Sequence, residues 1–333
     1  MSTRHDFIFI GTGTSSGVPA VTCLTKQPEP TCKVCVAATA WTPPSTKDIE
    51  ASLAHKSVAT PPSFNKNRRN NTCAIYRITH PDGSVKNILI DCGKTFYDSA
   101  FRMFPHHDIR TIDAVILTHG HADAVMGLDD LRMWTLDARV QSSIPIYCDA
   151  STFAVVKGAF PYLVDTKKAT GGGQIAALEF RVFDVAEGSL TVEGIDIIPF
   201  HVVHGTSNGE PYHSLGFRFP HLSYISDANI VPATAKEIIK NSDVLVLDAL
   251  RETTHPSHLS FSESIALAVE LTPKRLFFTD FCHDLMHEDM VVRMEADKDL
   301  EAAGIRGAPA YDGLLVPLCD SHHSGGTGTC SRL

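Results

Sequence analysis

The sequence predicts an α/β protein, and three observations predict it. Strand-like apolar runs alternate with helical runs along most of the 333 residues, and several of the strand-like runs end in a histidine or an aspartate. The composition, 43% hydrophobic and 20% charged, is that of an ordinary globular chain able to bury a sizeable core. Length alone allows one large domain or two.

The first strand, Phe7-Ile8-Phe9-Ile10, runs into a Gly-Thr-Ser loop whose glycines let backbone approach a site. Gly11-x-Gly13 is by itself only a weak nucleotide signal. Residues 41–69, with Pro43-Pro44, Pro61-Pro62 and many Ser, Thr, Asn and Lys, read as a flexible insertion. Strand-like runs then recur at 73–79, 86–91, 112–118, 144–148, 178–184, 195–200, 215–219, 222–226, 243–247 and 275–279. Helical runs lie near 95–104, 124–137, 150–160, 232–240, 261–271 and 286–303. Gly171-Gly172-Gly173 marks a loop, and there is no internal repeat.

The chemistry concentrates at His119-Gly120-His121-Ala122-Asp123, directly after the apolar run Val115-Ile116-Leu117-Thr118. Side chains at every second position of an extended segment project to one side, so two imidazoles and a carboxylate can share an ion. Imidazole nitrogen suits zinc, manganese, iron and nickel, and added carboxylates shift a site toward harder ions. Other strand ends repeat the theme. Phe200-His201-Val202-Val203-His204-Gly205 offers His204, with His201 facing the other way and expected to be packed. Tyr224-Ile225-Ser226-Asp227 delivers Asp227, and Phe278-Thr279-Asp280-Phe281-Cys282-His283 delivers Asp280 and His283.

On these residues the chain resembles the metallo-β-lactamase superfamily, whose signature His-x-His-x-Asp-His is matched by His119, His121 and Asp123 with Ala124 in the last position. Within it, the chain most resembles the branch of phosphodiesterases that includes the cyclic-phosphate phosphodiesterase of carbon–phosphorus lyase pathways. The shared segments are Phe9 to Pro19, Ile88-Leu89-Ile90-Asp91-Cys92-Gly93, Gly127 to Arg132, Ser214 to Arg218, Tyr224 to Ala228 and His258-Leu259-Ser260-Phe261. The likeness runs from about residue 6 to residue 318 with one insertion, so a single domain over 1–318 is expected, followed by a flexible polar tail, 319–333.

The resemblance implies a four-layer αββα sandwich with metals at one end of two sheets. Carried over, His119, His121 and His204 hold a first metal, Asp227 bridges, and Asp123 binds a second. The sequence departs twice at that second position: Ala124 and Asp280 stand where the family has histidines. Asp123, Asp227 and Asp280 would make an oxygen-rich site that binds more weakly and prefers manganese or magnesium to zinc. The expected cofactors are therefore zinc or manganese, as one or two catalytic ions. A degenerate relative that binds metal without hydrolysis shows the same changes.

His258 resembles the family histidine that assists the leaving group, and with Asp123 it completes the expected catalytic pair. It stands just before a helix opened by the capping box Ser260-x-x-Glu263, which partly fixes it, and its unperturbed pKa suits proton donation near neutrality. His255 reads as a surface histidine of the preceding loop.

The nine cysteines, odd in number and scattered, do not read as a disulfide framework. Cys32-Lys33-Val34-Cys35 has zinc-turn spacing, and with Cys23 it needs one more ligand for a closed tetrahedral site. The resembled branch places a structural zinc here, completed by a histidine that maps to His283. Redox activity is disfavoured because the pair does not follow a strand and open a helix.

The formal charge of −9 argues against a polynucleotide partner and for a small phosphodiester or ester substrate. Lys66, Arg68 and Arg69 form a basic cluster that reads as a solvated loop or small-anion contact. No apolar run is long enough to span a membrane, and Met1 to Asp6 carries no secretory signal, so a cytoplasmic, non-secreted protein is expected. The ending Ser331-Arg332-Leu333 resembles the Ser-Lys-Leu peroxisomal address, which makes a peroxisomal import receptor an expected partner in a eukaryotic source. A homodimer is a further partner reading. The functional expectation is a metal-dependent hydrolase of a small or cyclic phosphodiester, with thioester, ester or lactam hydrolysis as the alternative.

Overall fold

A computed structural model describes residues 2–26, 32–40, 65–170 and 174–318. Most of the predicted insertion, the triple-glycine loop and the C-terminal tripeptide lie outside those residues. The described chain forms two seven-stranded sheets. The first contains β1 (Arg4–Gly11), β2 (Cys73–Thr79), β3 (Val85–Ile90), β4 (Ala114–Ile116), β5 (Ile144–Cys148) and β6 (Leu178–Val182). The second contains β7 (Leu190–Val192), β8 (Ile195–Ser207), β9 (Glu210–Arg218), β10 (Leu222–Tyr224), β11 (Val244–Asp248), β12 (Arg275–Thr279) and β13 (Arg306–Pro309). The last strand, β14 (Leu315–Leu318), returns to the first sheet beside β1.

Each sheet is half antiparallel and half parallel. β14, β1, β2 and β3 pair antiparallel, whereas β3 through β6 pair parallel. In the second sheet β7 through β10 are antiparallel and β10 through β13 parallel. Parallel neighbours need crossovers, and helices such as Phe96–Met103, Ala150–Ala159 and Phe261–Leu271 supply them.

The layers follow from the two-residue period of the strands. Ile88 and Ile90 pair with Ala114 and Ile116, and all four face the second sheet, where they meet Phe217, Tyr224 and Val246. Leu89 and its partner Val115 point the other way, against Phe96, Met103 and Leu128. On the second sheet Leu245, Leu247, Leu276 and Phe278 likewise face a helical layer that includes Ile265, Ala268 and Met290. Both faces of the parallel strands are thus buried, which accounts for their continuous apolar runs. The result is the αββα sandwich. No helix among the described residues is long and apolar enough to cross a membrane.

Two readings change here. Arg69, read as part of a solvated basic loop, is fully buried, and its guanidinium donates to the carbonyls of Cys282 (2.9 Å) and Leu285 (2.7 Å). Gly11 serves close packing of backbone on backbone: a Cβ there would stand 2.0 Å from the Asn71 carbonyl oxygen.

Candidate metal centre

The site lies beyond the carboxyl ends of the parallel strands, where an open α/β sheet exposes backbone and side chains to a ligand. β3 ends into Asp91, β4 into His119, β10 into Asp227, β11 at Asp248 and β12 into Asp280. Asp91 and Asp280 both adopt positive φ, 62° and 63°, a conformation aspartate tolerates better than most residues.

A chain of hydrogen bonds sets the tautomer of His119. Asp91 accepts the Thr118 N–H and the Thr118 hydroxyl, each at 2.8 Å. With its proton committed, Thr118 Oγ1 can only accept from His119 Nδ1, 2.8 Å away. His119 Nε2 is left with its lone pair, buried and without a hydrogen-bond partner. His204 is fixed similarly, since its Nδ1 donates to the Ser257 carbonyl at 2.8 Å. Its Nε2 then faces His121 Nδ1 at 3.2 Å.

Three imidazoles converge in this way, with ligand atoms of His119, His121 and His204 within 4.8 Å of one another. Burial lowers all three, His119 to about 3, so they are neutral and able to ligate. Asp227 sits beside them with Oδ2 buried and unpartnered. Burial would raise Asp227, but His119, His204 and His258 outweigh it and hold it down to about 2. Orphaned lone pairs on neutral imidazoles beside an ionised carboxylate are the donor set of a divalent cation, and the residues fit one.

The predicted second site does not assemble in the same way. Asp123 borders the pocket but joins no group of three donors within 4.8 Å among the described residues. Burial first and the charge of Asp227 second raise it above the usual carboxylate range. Asp280 instead groups with Asp248 and His258. His258 Nδ1 stands 2.9 Å from Asp248 Oδ2 and 2.9 Å from Asp280 Oδ2. Burial alone would lower His258, but the two aspartates outweigh it and push it up to about 12, in place of the near-neutral value expected from the sequence. The predicted capping box behind it, Ser260 with Glu263, is present.

The thiol cluster forms as a group. Cys23, Cys32, Cys35 and His283 offer ligand atoms within 4.8 Å of one another, and His283 Nδ1 is 3.5 Å from both Cys23 Sγ and Cys32 Sγ. Backbone N–H groups of Ala20 and Cys35 donate to Cys35 Sγ and Cys32 Sγ, but burial outweighs this at Cys35 and pushes its thiol up to about 12. Burial raises Cys32, but the Cys35 N–H and His283 bring it down to about 7. Three thiol sulfurs and one imidazole nitrogen make a donor set that fits a structural zinc. Cys32 caps the short helix Lys33–Ala38, but the element before it among the described residues is a helix, Val21–Thr25, and not the strand of a thioredoxin-like motif.

A pocket of about 500 Å³ joins these parts. Thr14, Ser15 and Ser16 form one wall, Lys94 and Arg251 bring positive charge, and His121, His204 and His258 form the floor. His255, read as a surface residue, lines it too, with its ring 5.2 Å from that of His258. His201, expected to be packed, is exposed, because the odd spacing that buries His204 turns it outward. Tyr212 carries no motif signal, yet its ring stacks on His121.

The sequence profile described as Beta-lactamase superfamily domain matches residues 86–281, more than half of the chain. The chain belongs to that superfamily. Among solved structures, this β-lactamase-superfamily domain is similar to a diphosphatase of the PhnP family, 28% identical, with a TM-score of 0.68 over 94% of this chain and 97% of that one. It also shares its fold with zinc-bound PqqB from Methylobacterium extorquens, 18% identical, with a TM-score of 0.61 over 93% and 99% of the two chains. A curated relative, an octanoyltransferase of Porphyromonas gingivalis, is 26% identical over 264 residues, 78% of this chain. The match spans 42% of that protein's length. Membership implies divalent metal ions and hydrolase chemistry.

Proposed function

We propose that the protein is a metal-dependent phosphodiesterase acting on a small phosphodiester. The observation that carries this reading is the pocket, whose lining includes both Lys94 and Arg251 and the imidazoles of His121, His204 and His258. Two cations next to such a centre suit a phosphoryl group with its non-bridging oxygens, and the volume suits a small molecule. The likeness to the PhnP-family diphosphatase supports the same class.

His119, His121, His204 and Asp227 would hold the catalytic ion, zinc or manganese. When bound, that ion supplies an activated water and stabilises negative charge on the phosphoryl oxygens. Lys94 and Arg251 orient the phosphate. His258 Nδ1 donates to Asp248, with Asp280 at ion-pair distance, so Nε2 is the nitrogen left to pass a proton to the departing alkoxide.

Acyl chemistry, suggested by the name of the curated relative, is the second reading. A long acyl chain needs an apolar trough, and apart from Ala122 and Cys282 this pocket offers only Leu250. The test is turnover of bis(p-nitrophenyl) phosphate against p-nitrophenyl octanoate, with manganese or zinc added. We expect phosphodiester hydrolysis that disappears in His119→Ala, and a raised KM in Arg251→Ala. Octanoate turnover with an inert phosphodiester would reverse the assignment.

A further inference from the structure

We infer that the centre carries a single catalytic cation, because the second metal position lacks a complete donor set among the described residues and Asp280 is ion-paired with His258. The inference rests on the metallohydrolase reading for the location of the site and not on any substrate.

Three independent features carry it. Ala124 has no donor atom, is 2% exposed, and packs in the outer apolar layer with Val125 and Leu128. Asp280 shares no donor group with Asp123 or Asp227 among the described residues, and its Oδ2 lies 2.9 Å from His258 Nδ1. Among the described residues, Asp123 is left as the only one of the three carboxylates outside every donor group. A second ion would have to be built on carboxylates that form no common donor group, one of them ion-paired with His258, whereas His119, His121 and His204 converge for the first and Asp227 groups with His204. The imidazole of His258 stands within ion-pair distance of two buried carboxylates, Asp248 and Asp280. Asp227, Asp248 and Asp280 are all at most 2% exposed, and buried carboxylates so close together require a partner that can neutralise them.

Ion counting decides the matter without activity. The full-length protein, stripped by chelator, is titrated with manganese alone. Bound ion is counted by electron paramagnetic resonance, with zinc in the thiol cluster measured separately. We expect one manganese per chain with the six-line signal of an isolated ion, lost in His119→Ala and retained in Asp280→Asn. The pair Ala124→His with Asp280→His should bind one more, with a spin-coupled spectrum. Two coupled ions in the unaltered protein, falling to one in Asp280→Asn, would overturn the inference, as would no bound ion at all. Failure of phosphodiester turnover with one ion bound would remove the functional proposal and leave this one standing.

Discussion

Tyr212 lies flat against His121, with ring centroids 4.7 Å apart and planes within 7°. His121 is the most exposed of the three converging imidazoles, so it has the most rotamer freedom to lose on binding an ion. The stacked ring limits that freedom. Tyr212→Leu should therefore weaken manganese binding by about tenfold, at the low end of what supporting residues contribute, and Tyr212→Phe should keep the affinity. Equal loss in both variants, measured by titration, would show that the hydroxyl and not the stacking matters.

Thr118→Val should act on His119 without touching the pocket. The valine keeps the volume but breaks the relay from Asp91, so His119 loses the acceptor that fixes its tautomer. Affinity should fall by about 10- to 100-fold. The measurement is again ion titration, paired with a thermal melt. A melt shift with unchanged affinity would assign Thr118 to stability alone.

Gly93 is a second close approach. A Cβ there would stand 1.6 Å from the Asp123 carbonyl oxygen and 2.3 Å from its carbon. Backbone must move, so Gly93→Ala should cost about 3 kcal/mol or more and displace the segment that carries His121 and Asp123. Denaturant unfolding of the variant checks this, and a loss below about 1 kcal/mol would contradict the packing described.

Acid should destabilise the protein through buried histidines that belong to none of the donor groups among the described residues. Burial lowers His107 and His287 to about 4 each. Above the ordinary value near 6.5 both are neutral in folded and unfolded chains. As pH falls from there toward about 4, the unfolded chain takes up protons that the folded chain refuses, so stability is lost over that window. His107→Gln and His287→Gln should each flatten the decline of Tm with pH. Curves parallel to that of the unaltered protein would exclude these two as the cause.

Where the sequence pattern was strong, the fold was legible to the residue. The runs 73–79, 144–148 and 275–279 and the helix 261–271 coincide with β2, β5, β12 and the capped helix. Buried strands with few polar positions and a helix with a capping box leave little to interpret. Tertiary context decided the rest. The hairpin of β8 and β9 continues through polar residues that read as loop, because pairing persists to Ser207 and Glu210 past a register shift after Val203. The single helix expected at 124–137 breaks into short pieces, as the Gly127 N–H is drawn to the Cys92 carbonyl. The helix expected near 286–303 is two, the second capped by Asp297. β7, β13 and β14, only three or four residues each, gave no periodicity to read. Among the ligating residues, strand-end position placed each donor but not its neighbours. Only the fold shows that His258 stands between Asp280 and Asp248.

His119 and His121 follow a strand of the first sheet, whereas His204 and Asp227 belong to the second. Neither half of the sandwich owns the centre. An ion bound there ties the halves together and has no comparable site on a chain in which only one half has formed, so each increment of binding energy works against partial unfolding. Occupancy by the ion thus doubles as a readout of whether the whole sandwich has closed.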